Sequence, residues 1–76
     1  MNGEDLKAEI NQGIRNKYRV FVDTVDGSQH RVYNALNASV KQVTVELKKG
    51  LAIIIADKVT AVRKLEFIDN KPEEDQ

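Results

Sequence analysis

The stretch from Val40 to Phe67, VKQVTVELKKGLAIIIADKVTAVRKLEF, holds the two most strand-like runs of the chain and most of its candidate core. Val43, Val45 and Leu47 alternate with Thr44, Glu46 and Lys48. A period of two marks a strand with one buried face and one wet face. Lys48-Lys49-Gly50 breaks the pattern, and a glycine there suits a tight hairpin. Leu51 to Ala56 resumes as an isoleucine-rich apolar run. It is far shorter than the ~20 apolar residues a membrane span needs. It suits a strand covered on both faces, or one whose second face meets another subunit. After the polar Asp57-Lys58, Val59 to Phe67 reads as a last strand. Val62, Leu65 and Phe67 point inward there if a bulge shifts the register. A helix over 58–65 competes with this reading, but Val59, Thr60 and Val62 are β-branched and weigh against it.

The N-terminal part adds a helix and a hairpin. Asn2 suits an N-cap, Glu4 and Asp5 fall in a first turn, and Leu6, Ile10 and Ile14 recur every four residues. The spacing predicts a helix over 3–16, with Gly13 costing about 1 kcal/mol inside it. Tyr18, Val20 and Val22 share one face of a strand over 18–25, and Arg19, Phe21 and Asp23 share the other. Asp26-Gly27 is a hairpin signal. A second strand follows over 29–36, with Val32 inward and Arg31 and Tyr33 outward. Strands over 41–48, 51–56 and 60–67 complete the order. Two of the four aromatics (Tyr18, Phe21, Tyr33 and Phe67) are expected in the core.

The 76 residues make one small domain, 1–68, whose core contributes only marginal stability. There is no cysteine, hence no disulfide and no thiolate metal site, so oligomerisation is the remaining staple. The segment 69–76 carries Pro72 and a run of acids and is expected to be disordered. No signal-peptide hydrophobic region and no span are seen, so a cytoplasmic chain without membrane contact is expected.

The formal net charge of zero hides an uneven distribution. Arg15 to Lys64 holds ten Lys/Arg against four Asp/Glu, a net of +6, and the flanks balance it. One reading is a solvated surface with a solubilising tail. The other is a polyanion-binding body whose acidic tail competes for the same surface, because a tethered anion has a high effective concentration. The candidate nucleic-acid contacts are Arg15, Lys17, Arg19, Arg31, Lys48, Lys49, Lys58, Arg63 and Lys64, the last five converging near hairpin ends. Lys and Arg give salt-dependent, sequence-tolerant contacts to phosphates, and the four aromatics are the candidates for base stacking. Leu51, Ile53, Ile54 and Ile55 are the candidate oligomer or partner edge.

Enzyme activity is not expected. Ser28, Ser39 and the one histidine, His30, form no nucleophile pattern, and His30 reads as a surface residue. Asp23 and Asp26 lack the ligand density of a calcium loop, and the glycines form no phosphate-binding fingerprint. No metal or cofactor is expected.

A short helix followed by five strongly bent strands is also the layout of Sm-like proteins. The chain resembles that family over Leu6 to Phe67, in its Hfq-like branch, which includes the Rho-inhibitor (Rof) type. The resemblance rests on Tyr18 to Gly27, Val43 to Gly50 and Ile54 to Val62, IIADKVTAV. It implies a small five-stranded SH3-like barrel, subunits joined strand to strand in a ring, and RNA or a protein of the RNA or transcription machinery as partner. Family members bend the second strand at a glycine; none stands near Val32. The Lys-His pair of the Hfq uridine site is matched by Asp57-Lys58, which keeps one cation, and its stacking aromatic falls near Val43. The expected function is non-enzymatic regulation through RNA or single-stranded nucleic acid. The alternatives are a protein-binding module and a homo-oligomeric structural subunit.

Overall fold

The computed structural model describes residues 1–67. The acidic segment 69–76 lies outside the described residues. Among the described residues one N-terminal helix, α1 (Gly3–Arg15), precedes six strands. These are β1 (Tyr18–Thr24), β2 (Gln29–Val32), β3 (Asn34–Ala38), β4 (Gln42–Leu47), β5 (Gly50–Ile55) and β6 (Val59–Glu66). A 3-10 turn, Ala56–Lys58, joins β5 to β6, and no helix forms over 58–65. The strands make two antiparallel sheets, ordered β2-β1-β6 and β3-β4-β5.

Local chemistry sets the helix ends. The Asp5 N–H donates to the Asn2 side chain at 2.8 Å, and Glu4 and Asp5 occupy the first turn. At the other end Lys17 adopts φ 70°, a left-handed conformation that costs a side-chain-bearing residue about 1 kcal/mol. Its N–H closes on the Ile14 carbonyl at 3.0 Å.

The expected second strand is two strands. At Tyr33 the chain leaves the first sheet and enters the second, and the extended run continues to Ala38. No glycine makes this bend. A register shift between Ala35 and Asn37 absorbs part of it. Asn11 of α1 supports the rest: its Nδ2 donates to the Ala35 carbonyl and its Oδ1 accepts from the Ala35 N–H, both at 3.0 Å. Asn11→Ala leaves both backbone groups without that partner at a half-buried position. We expect a loss of about 1–3 kcal/mol in denaturant unfolding; an unchanged midpoint would show that water replaces the amide at no cost.

The core lies between the sheets and under the helix. Leu6, Ile10, Val20, Val22, Val32, Ala35, Val43, Val45, Ile54 and Ala56 are buried. The period-two and period-four patterns place Leu6, Ile10, Val20, Val22, Val32, Val43 and Val45 here, and Ala35, Ile54 and Ala56 join them from outside those patterns. Burying each large aliphatic side chain contributes about 1.5–3 kcal/mol. Helix and sheet approach closely: a Cβ on Gly13 would meet Val20 Cγ2 at 2.7 Å. The glycine therefore offsets its helix cost by letting α1 sit on β1.

None of the four aromatics is in this core. Tyr18 and Phe21 are half-buried, and Tyr33 and Phe67 are exposed. The expected inward turn of Leu65 and Phe67 does not occur either. The only irregularity between β1 and β6 falls at Asp23/Thr24, and from Ala61 to Glu66 the pairing is regular. Strict alternation then sends Val62 inward and leaves Leu65 and Phe67 exposed.

A candidate nucleic-acid interface

The outer face of the β2-β1-β6 sheet carries the chemistry. β1 contributes Arg19, Phe21 and Asp23 to it, the residues that alternate with the buried Val20 and Val22. Register places Phe21 opposite Arg31 of β2 and opposite Arg63 of β6. Arg31 and Tyr33 lie two residues apart, so they share this face.

Three guanidinium groups on this face lie over rings, and two of them, Arg19 and Arg31, form one group with Tyr33 and Phe67. Arg31 Cζ lies 4.8 Å from the Tyr33 ring centre and 5.9 Å from that of Phe67. Arg19 Cζ lies 5.5 Å from the Phe67 centre on the same surface. Each such contact is worth about 0.5–1 kcal/mol at an exposed site, enough to hold a long side chain in place. Arg19 Nη2 donates to the Glu66 backbone carbonyl at 3.1 Å, and its Nε is buried with no hydrogen-bond partner among the described residues. Neither Arg19 nor Arg31 meets a carboxylate among the described residues.

Hollows flank the pair. One of about 370 Å³ is lined by His30, Arg31, Tyr33, Lys48 and Lys49. Another of about 280 Å³ is lined by Lys17, Tyr18, Glu66 and Phe67. A cationic band therefore runs from the Lys48-Lys49 turn through Arg31 and Arg19 to Lys17, with Tyr33 and Phe67 set into it. Stacked cations beside exposed rings can take phosphates and unstacked bases together.

The remaining predicted cations stand elsewhere. Arg63 lies on the same face over Phe21, at 5.1 Å, but Asp23 holds it with two bonds of 2.8 and 3.0 Å. Those bonds raise its pKa and neutralise its charge locally. Lys64 points toward the helix and pairs with Glu9 at 2.6 Å. Lys58 stands beyond Ile55, at the opposite end of β5 from Lys48 and Lys49, so the expected convergence of the five second-half cations does not occur. Arg15 is exposed in the last helical turn. Pairing across 40 residues or more decides which cations are left free, and no local pattern encodes it.

The second sheet carries the other candidate surface. Leu51, Ile53 and Ile55 are exposed at 64, 59 and 43 %. Ile54, expected with them at a partner edge, points the other way and is 5 % exposed. β5 is thus covered on one face only.

The Asp26 turn is explained by local bonding. Its carboxylate accepts from Thr24 Oγ1 at 2.7 Å and from the Ser28 N–H at 3.0 Å. These bonds, the Thr24 one foremost, lower its pKa to about 2. Among the described residues no three His, Cys, Asp or Glu side chains gather to hold a metal ion. No helix among the described residues is long and apolar enough to cross a membrane. No family model matches the sequence, and no curated protein matches it either.

Proposed function

We propose that the protein is a non-enzymatic cytoplasmic regulator that binds single-stranded RNA along the cationic band. The observation that carries this reading is the stacking of Arg19 and Arg31, half-buried and without carboxylate partners among the described residues, on the exposed rings of Phe67 and Tyr33. Duplex RNA hides its bases, whereas a single strand can lay them on exposed rings. Phe67 belongs to the band, and the acidic segment 69–76 that follows it in the sequence competes with the nucleic acid in this reading. A small bent barrel of the Sm-like kind is part of this reading: one helix stands ahead of the strands, and one extended run passes from the first sheet to the second at Tyr33 as such a bend requires.

Mixed-sequence single-stranded RNA, titrated at low and moderate salt against the whole chain and a version ending at Ile68, tests this directly. Affinity should fall steeply with salt, and truncation should strengthen it. If neither version binds at low salt, the nucleic-acid reading is lost. The apolar edge at β5 then favours the second reading, a protein partner from the RNA or transcription machinery, seen as a complex of defined stoichiometry.

A further inference from the structure

Each of the two sheets has two edges, and they are not alike. The β3 edge is occupied at Ala35 by the Asn11 amide. β2 is only four residues long. β6 carries Lys64, turned in toward Glu9, and then Glu66. Short strands, covered edges and inward-pointing charges are the usual devices against unwanted strand pairing. β5 has none of them: Gly50–Ile55 contains no charged residue and no proline.

The backbone phase of β5 follows from its pairing with β4. The Ala56 N–H donates to the Lys41 carbonyl at 2.8 Å, one step beyond the Ile55–Gln42 pair. Backbone groups alternate in direction along an antiparallel strand. Ile54 and Ala52 therefore bond toward β4, and Leu51, Ile53 and Ile55 present their N–H and C=O groups to the open edge. The same three residues carry the exposed apolar side chains.

This arrangement is self-complementary. An antiparallel second β5 centred on Ile53 places Ile53 opposite itself, Leu51 opposite Ile55, and Ala52 opposite Ile54. Every outward backbone group then finds a partner, for about six new hydrogen bonds. Beyond the strand ends Lys49 of each copy approaches Asp57 of the other, an opposite-charge contact made twice. Lys48 meets Lys58 at the same ends, so the apolar run decides the register more than charge does.

We propose that two copies of this chain associate through β5, antiparallel and centred on Ile53, to form one continuous six-stranded sheet. The dimer is isologous, which distinguishes it from a ring built by pairing β5 with a different strand. It supplies the staple that a small core without cysteine lacks. It does not depend on RNA binding, because β5 itself, Gly50–Ile55, carries none of the side chains of the cationic band and Lys48 and Lys49 only flank its end.

Light scattering after size exclusion, at concentrations up to millimolar, should give twice the monomer mass. Ile53→Lys and Ile53→Glu each place like charges across the axis and should be monomers with unchanged circular dichroism. Mixing the two should restore the dimer, because only in this register does position 53 face itself. With no native cysteine, Ile53→Cys should cross-link under mild oxidation. Leu51→Cys should not, since its own copies lie about 13 Å apart. A monomer, a ring-sized mass, or a dimer that the mixture does not restore and that cross-links through Leu51→Cys overturns the proposal.

Discussion

Gly3→Ala is expected to lower the melting temperature by roughly 10–20 °C. Gly3 is buried where α1 begins, and its N–H donates to the Val40 carbonyl at 2.7 Å. A Cβ there would run into the backbone oxygens of Ser39 and Gln42, with the Gln42 carbonyl carbon at 2.7 Å. These are backbone atoms of the turn leading into β4, so no side chain can swing aside. Either the first helical turn lifts off or the Ser39–Gln42 turn moves. Both loosen Leu6, which is fully buried three residues further on. Overpacking of this kind costs on the order of 3 kcal/mol, a large share of the 5–15 kcal/mol that holds a domain together. Thermal unfolding followed by circular dichroism measures it. A melting temperature within two or three degrees of the parent would mean that the helix start is not seated on this turn.

The second large effect is on binding. Arg31→Ala combined with Tyr33→Ala should weaken single-stranded RNA binding by roughly tenfold to a hundredfold, since stacking of one base is worth about 1–3 kcal/mol. Arg31 also brings one phosphate contact, so the slope of log affinity against log salt should become shallower by about 0.7. Tyr33 is exposed and Arg31 half-buried on the outer face, so the core is untouched. Arg63→Ala is the informative comparison. Its charge sits on the same face but is already engaged by Asp23, so it should leave the salt slope unchanged. Equal losses from both variants would show that overall charge, and not the stacked pair, governs binding.

The contrast between Arg31 and Arg63 shows where sequence reading stops. Both are arginines on outward positions of predicted strands, and nothing local separates them. The difference is made by Asp23, forty residues from Arg63 in the chain, which the β1–β6 register opposes to Ala61 and so sets diagonally beside Arg63 on the same face. Lys64 is withdrawn in the same way by Glu9, fifty-five residues away. The Arg31–Tyr33 pair, two apart and on one face, was within reach of the periodicity. The approach of Phe67 to it was not, because the expected inward register of β6 hid that ring.

The element boundaries were legible because each rests on short-range chemistry. Asn2 and the first-turn acids start the helix, Asp26-Gly27 and Lys48-Lys49-Gly50 turn the hairpins, and period-two alternation marks Val43, Val45 and Leu47. The break at Tyr33 was not legible, since it uses no glycine and depends on an asparagine of the helix bonding to Ala35.

Local sequence was enough for the helix, the hairpin turns and the buried faces of α1, β1 and β4, because those follow from backbone sterics and the spacing of apolar side chains. Long-range contacts made the remaining choices: that one extended run serves two sheets, that the aromatics stay outside, and which cations among the described residues meet no carboxylate. Those outcomes depend on which distant residues meet across the sheets, and a contact between residues forty positions apart leaves no periodic trace in the chain.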